Sequence, residues 1–279
     1  RAAGPRPAAP QPGPGAARVS LLVADRLNKR FGGVSAAKDV SFSLEAGELL
    51  AVIGPNGAGK STTFGMVGGQ LRPDSGTVTL AGEAITGLPP REIWRKGVGR
   101  TFQVAQTFVS MTVAENVQMA LVSRGGRTRN LVADTRALHR DEALALLDAV
   151  GMRADADRPV SELAYGDVKR VELAVALAAG PKLLLMDEPT AGMAPKERAG
   201  LMELAARLAR SRDIGVLFTE HDMDAVFAHA DRILVLVRGE VIAAGTPEEV
   251  RGDARVKRVY LGETGVKAAL RARKEAAAP

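Results

Sequence analysis

Eight consecutive residues, Gly54-Pro55-Asn56-Gly57-Ala58-Gly59-Lys60-Ser61, have the types and order that bind a chain of phosphates. Small residues let successive backbone N–H groups converge on phosphate oxygens. A helix beginning at Lys60 aims its positive end at the same anion. Lys60 supplies a cation for the β- and γ-phosphates, and Ser61 a hydroxyl for Mg²⁺. Thr62 continues the same first helical turn. A second candidate lies downstream, where Leu183-Leu184-Leu185-Met186 runs into Asp187-Glu188. Carboxylates at the carboxyl ends of parallel strands line the crevice in which ligands sit. Asp187 is placed to hold Mg²⁺, directly or through water, and Glu188 to orient or deprotonate an attacking water. Together the two motifs predict hydrolysis of a nucleoside triphosphate.

Both motifs need a sheet beneath them. Leu49-Leu50-Ala51-Val52-Ile53 is an all-apolar run, as expected of a strand buried on both faces, and the phosphate loop follows it directly. Strands are also predicted over Leu21–Leu27, Val40–Leu44, Gly215–Phe218 and Ile233–Val237, the last returning over Val241–Ala244 through Arg238-Gly239-Glu240. A hairpin is predicted over Gly76–Ala84, where Thr77, Val78, Thr79 and Leu80 favour strand. Helices are predicted from Lys60 to about Gly68, from about Met111 to Val150 with an exposed connection at Arg124–Arg129, and over Asp167–Ala179, Lys196–Arg210 and Asp222–Ala230. Strands alternating with helices imply an α/β fold with a mostly parallel sheet covered on both faces.

The composition bounds the rest. The chain has 279 residues, enough for one large α/β domain or two small ones with a buried core. It has no cysteine, which excludes disulfides, thiolate metal sites and a cysteine nucleophile. The net charge of +6 comes from interspersed charges of both signs, the pattern of a solvated surface rather than of a nucleic-acid footprint. No apolar stretch reaches the ~18 residues that a membrane-spanning helix needs, so a role at a membrane must run through a partner. Residues Arg1–Ala17 are rich in Pro, Ala and Gly and read as a disordered extension without the apolar core of a signal peptide. The basic stretch from Lys267 to Lys274 reads as a frayed, solvated tail.

The stretch Leu163-Ala164-Tyr165-Gly166-Asp167 stands about twenty residues before the acidic strand. It resembles the signature motif of ABC ATPases, usually written LSGGQ. Phe31 resembles that family's adenine-stacking aromatic, Gln103 its Q-loop glutamine and His221 its switch histidine. Ala191-Gly192-Met193-Ala194 occupies the D-loop place. The resemblance covers Val19 to Gly262, so residues 18–262 are expected to form one ABC ATPase domain with a helical subdomain at about 105–180 and a tail at 263–279. It implies a RecA-like phosphate-loop core, an antiparallel β subdomain and a helical signature subdomain.

That family's function is what the resemblance then implies. ATP and Mg²⁺ would be bound, with Ser61, Gln103 and Asp187 at the metal and His221 at the γ-phosphate. Two ATPase subunits, of one chain or of homologous chains, would pair head to tail, the signature of one closing the phosphate loop of the other. Permease subunits would span the membrane, with an extracytoplasmic solute-binding protein engaged indirectly and no nucleic acid. The place would be the cytoplasmic face of the inner (plasma) membrane, peripherally. The surface for the permease would follow Gln103, where Phe102, Val104, Phe108, Val109 and Met111 supply either docking groups or ordinary core.

Arg30-Phe31-Gly32-Gly33, Gly99-Arg100-Thr101-Phe102-Gln103, the Leu-Ala-Tyr-Gly signature and the ending Gly245-Thr246-Pro247-Glu248-Glu249-Val250 resemble the subunits of branched-chain amino-acid importers. Relatives of that subfamily take up other small polar solutes. An alternative is a soluble ABC protein acting on ribosomes or DNA, but such proteins carry two cassettes or a long coiled coil, and no sustained heptads occur here. A phosphate-loop kinase would leave the signature, Gln103 and His221 without a role. The chain departs from the family pattern at Ala164, Tyr165 and Asp167, which replace serine, glycine and glutamine, and at Ala194, which replaces the D-loop aspartate. Asp167 is expected to point away from the phosphates, because its carboxylate would repel them. None of these departures touches Lys60, Asp187 or Glu188, so hydrolysis is expected to be intact.

Overall fold

The computed structural model describes residues 20–101, 107–124 and 138–260. Arg1–Ala17, Gln103 and the Lys267–Lys274 tail lie outside the described residues, as do Phe102 and Val104. Strand β1 (Leu22–Phe31) pairs antiparallel with β2 (Val34–Leu44) on one side and β4 (Ser75–Leu80) on the other, with β5 (Glu83–Ala84) at the edge. The second sheet contains β3 (Leu49–Ile53), β6 (Val98–Thr101), β7 (Leu183–Asp187), β8 (Gly215–Thr219), β9 (Arg232–Val237) and β10 (Glu240–Gly245). Its order is β10-β9-β3-β8-β7-β6, parallel throughout except for β10.

Alternation along β3 divides the interior in two. Leu49, Ala51 and Ile53 face one apolar core together with Met186, Phe218 and Val235. Leu50 and Val52 face the other with Leu185, Leu217 and Leu234. A strand buried on both faces must be apolar at every position, which is why β3 carries no polar residue. The first core is closed by helices α3 (Val113–Arg124), α4 (Arg140–Ala149), α5 (Tyr165–Leu177) and α6 (Pro195–Ser211). Val226 of α7 (Met223–His229) and Val250 of α8 (Pro247–Gly252) complete it. The second core holds α1 (Lys60–Val67), Ile93 of α2 (Pro90–Arg95) and the antiparallel sheet. Helices α1 and α5 therefore cover opposite faces of the parallel sheet.

The elements depart from the sequence reading in informative places. Strands β1 and β2 run on to a hairpin at Gly32-Gly33, past the apolar ends predicted for them. That extension is held by cross-strand pairing and by Asp74, which accepts from the Lys29 ammonium and from the Arg30 N–H, each at 2.7 Å, with Ala37 as its buried side chain. Helix α2 and strand β6 were not foreseen: each is short, and β6 has only Val98 as a large apolar residue. Helix α5 starts at Tyr165, two residues before the predicted Asp167, so Tyr165–Asp167 of the signature form its first turn while Leu163 and Ala164 precede it in extended conformation.

Phe64 on α1 is fully buried and carries the phosphate-loop helix onto the second core. Phe64→Ala is expected to destabilise the domain by about 3–5 kcal/mol, read from denaturant unfolding.

Candidate functional site

The carboxyl ends of β3, β8 and β7 lie side by side, because all three strands are parallel and in register. The phosphate loop leaves the first of them. Gly54 has φ +154°, and a Cβ there would lie 2.2 Å from the Leu236 carbonyl oxygen. Gly59, at φ +105°, starts α1, and a Cβ on it would lie 2.3 Å from the Ala36 carbonyl oxygen. Only glycine fits either place. The loop is thus seated on β9 at one end and on the β1–β2 hairpin at the other. The Gly239 N–H, donating to the Ala58 carbonyl at 2.9 Å, closes the seat. Pro55, Asn56, Gly57 and Ser61 remain exposed on the free side.

Lys60 is buried, and its Nζ donates to the Gly54 carbonyl at 2.7 Å. Burial holds its pKa below the ordinary lysine value, while the negative charges of Glu188 and Asp187 act in the opposite sense. The acidic strand end thus lies within the electrostatic reach of the phosphate-loop lysine. Asp187 Oδ1 accepts from the Thr219 hydroxyl at 2.8 Å, and Oδ2 lies 3.5 Å from the Arg100 guanidinium on β6.

Glu188 has φ +47°, a left-handed backbone that costs a non-glycine residue about 1–3 kcal/mol. Two acceptors stabilise that turn: the Glu188 N–H donates to the Thr219 hydroxyl oxygen at 3.0 Å and to the Thr219 carbonyl at 3.2 Å. The Glu188 carboxylate lies 2.7 Å from His221 Nε2. With Glu188 ionised, Nε2 carries the proton and donates to it. His221 is half exposed at the end of β8, so the imidazole is open to a ligand as well as to Glu188.

The other sequence-predicted residues fall around this centre. Phe31 is 47% exposed at the hairpin tip, with Lys29 Nζ 5.7 Å from its ring centroid. It belongs to the same hairpin whose Ala36 seats Gly59. Phe108 and Val109 are exposed, whereas Met111 is partly covered. In the signature, Leu163 is half-buried and Ala164 is the extended residue before α5. Tyr165 is helical, so its Cβ is accommodated without strain. Gly166 is buried, and a Cβ there would come 3.3 Å from the Glu197 carboxyl carbon. Asp167 is half-buried; the Arg158 pKa is raised chiefly by the hydrogen bond it donates to Asp155, with the charge of Asp167 a smaller contribution in the same sense.

Four residues were missed from sequence. Thr219 links Asp187 to Glu188. Glu220 is buried, and its Oε1 accepts from the Thr190 N–H at 3.0 Å and the Thr190 hydroxyl at 2.7 Å. Arg198 on α6 pairs with Asp222 and donates to the Met193 carbonyl at 3.2 Å, joining the D-loop place to the residue after His221. Asp222 in turn caps α7 by accepting from the Asp224 and Ala225 N–H groups. The available signal was register: aligning β7 with β8 puts Thr219 opposite Asp187.

Residues 37–191 match the family model described as ABC transporter. The chain belongs to this family. The cassette's residues 240–266 also match the model described as branched-chain amino acid ATP-binding cassette transporter. Over 252 residues the cassette is 42% identical to LivG of Salmonella typhimurium, a high-affinity branched-chain amino acid transport ATP-binding protein, covering 87% of this chain and 98% of LivG. It is 38% identical to LptB of Haemophilus influenzae, a lipopolysaccharide export system ATP-binding protein, covering 88% and 98%. The crystal structure of the ADP conformation of MJ1267, an ATP-binding cassette of an ABC transporter, matches with a TM-score of 0.78 and 32% identity, over 88% of this chain and 100% of that one. The cassette is therefore an ATPase built on the ABC fold. Among its described residues, no helix is long and apolar enough to cross a membrane.

Gly59→Ala tests the seat of the loop. It is expected to lower Tm and to weaken ATP binding ~5–150-fold, the scale of a ~1–3 kcal/mol overpacking penalty. Gly252→Ala, where a Cβ meets nothing within 4 Å, should leave both unchanged, as followed by fluorescent-nucleotide titration and thermal melts.

Proposed function

We propose that the cassette binds and hydrolyses ATP to power uptake of branched-chain amino acids or related small polar solutes through permease subunits, at the cytoplasmic face of the inner (plasma) membrane. The observation that carries this reading is the buried Lys60 on a glycine-seated loop, under the charges of Asp187 and Glu188, with His221 on Glu188. The match of residues 240–266 and the likeness to LivG support the solute class. A solute-binding protein would reach the cassette only through the permease.

The residues fit ATP with Mg²⁺. Exposed backbone at Asn56 and Gly57 and the N-terminus of α1 offer donors to phosphate oxygens, together with Gly54, Ala58, Gly59 and Thr62, while Pro55, which has no N–H, shapes the loop without donating. Among the described residues, no group of three or more His, Asp or Glu could hold a metal by itself. Mg²⁺ suits such a place, because it takes one or two protein oxygens and fills its shell with phosphate and water. Ser61, Asp187 and Gln103 would hold it, and when bound it would neutralise charge on the β- and γ-phosphates.

The chain's own groups do the rest. Lys60 balances phosphate charge. Glu188 accepts a proton from water as the water oxygen bonds to the γ-phosphorus and the bond to the bridging oxygen of ADP breaks. The His221 Nε2–H holds Glu188 and is free to donate to the γ-phosphate instead. Phe31 offers a flat face to adenine. Helices α1 and α5 cover opposite faces of the sheet, so the signature, Leu163–Asp167, does not complete its own chain's loop. It would serve a second ATPase subunit, same or homologous, with Gly166 and the start of α5 facing the γ-phosphate. The backbone there replaces the hydroxyl that Ala164 lacks.

Glu188→Gln is expected to keep ATP affinity and slow hydrolysis by ~10²–10⁴, the contribution of a positioned base. Near-normal turnover would overturn its role. Lys60→Ala is expected to weaken ATP binding itself, as read by nucleotide titration. For the solute, the cassette assembled with its permease in vesicles should show ATPase activity stimulated by leucine, isoleucine or valine on the binding protein. Stimulation by a lipid substrate instead would transfer the reading to export.

A further inference from the structure

We infer that Thr219 is a positioning residue for hydrolysis, its hydroxyl setting both the metal-side carboxylate and the base; this rests on the roles given above to Asp187 and Glu188. A threonine hydroxyl has one proton to donate and lone pairs to accept with. At Thr219 both functions are used. The proton goes to Asp187 Oδ1 at 2.8 Å, and the oxygen accepts the Glu188 N–H at 3.0 Å. Ionised Asp187 can only accept, which fixes the direction of the first bond, and the backbone N–H can only donate, which fixes the second.

The place is buried. Thr219 is 1% exposed, so water does not replace its oxygen. Glu188 sits in a left-handed conformation that a side chain rarely adopts, and the Thr219 hydroxyl and carbonyl are the acceptors of its N–H. Glu220, the next residue, grips the far side of the same turn through Thr190. The turn Glu188–Thr190 is thus held at both ends by consecutive residues of one strand terminus, which also presents His221. Where the base points is set from β8, not from β7, on which it follows.

Thr219→Val keeps the shape and removes the hydroxyl. It should lower kcat about 10–100-fold, the range of a hydrogen bond to a charged group. The KM for ATP and the affinity for ATP in EDTA should stay within about two-fold, because Lys60 and the loop are untouched. The Mg²⁺ concentration that half-saturates fluorescent-ATP binding should rise several-fold, because Asp187 loses its donor. Thr219→Ser, which keeps the oxygen, should recover most of both changes. The inference is overturned if Thr219→Val matches wild type in kcat and Mg²⁺ midpoint, or if Thr219→Ser is as impaired as Thr219→Val. It is overturned equally if Tm and metal-free ATP affinity fall in step with turnover, which marks a purely structural role. Glu188→Gln assayed in parallel separates the two claims: if it is inactive while Thr219→Val is normal, only the role of Thr219 fails. If Glu188→Gln itself turns over normally, the reading of the base fails, and the Mg²⁺ midpoint still reports on Thr219 and Asp187.

Discussion

A buried ammonium must find compensation, and the placement of Lys60 organises everything around it. Taken from water, the cation loses solvation that only dipoles and opposite charges can return. Here the Gly54 carbonyl supplies the dipole and the two carboxylates at the end of β7 supply the charge. In the proposed function the same arrangement makes the lysine a receptor for phosphate. It is held near negative charge without a direct ion pair among the described residues, so an incoming polyanion meets a cation already in place. The carboxylates, in turn, are where a metal ion would neutralise what the lysine leaves over.

The parallel sheet turns that requirement into geometry. Register between β3, β8 and β7 brings a glycine loop, a polar strand end and an acidic strand end to one edge. Apolar side chains on both faces fix the strands against two cores, so the polar ends inherit the rigidity of the packing. The glycines matter for the same reason. Gly54 and Gly59 let the loop lie directly on neighbouring backbone, which sets its height above the sheet. Farther out, Arg198 links the D-loop place to Asp222 within one chain. Ala194 stands where the family pattern has an aspartate, and this connection does not involve its side chain.

Much of this was legible in the sequence, for physical reasons. Strands buried on both faces must be apolar runs, so β3, β7, β8 and β9 stood out. The loop glycines and Lys60 are dictated by phosphate chemistry, and the signature by resemblance. The outer part of the β1–β2 hairpin was not legible, because Asn28, Lys29 and Arg30 carry no alternating pattern and are held as strand by cross-strand pairing and by Asp74 at the approach to β4. Strand β6 was invisible because a four-residue edge strand with a glycine shows no period. Thr219, Glu220 and Arg198 escaped because their partners lie up to 32 residues away, brought close by strand register for Thr219 and by the packing of loops and of α6 for the other two, rather than by local spacing.

The most direct measurement is a crystal structure of the cassette with a non-hydrolysable ATP analogue and Mg²⁺. The β- and γ-phosphates are expected on the N–H groups from Gly57 to Ser61 with Lys60 alongside, the metal at Ser61 and Asp187, and Glu188 facing the terminal phosphate. A nucleotide bound away from this loop, or a terminal phosphate out of reach of both Lys60 and Glu188, would contradict this arrangement.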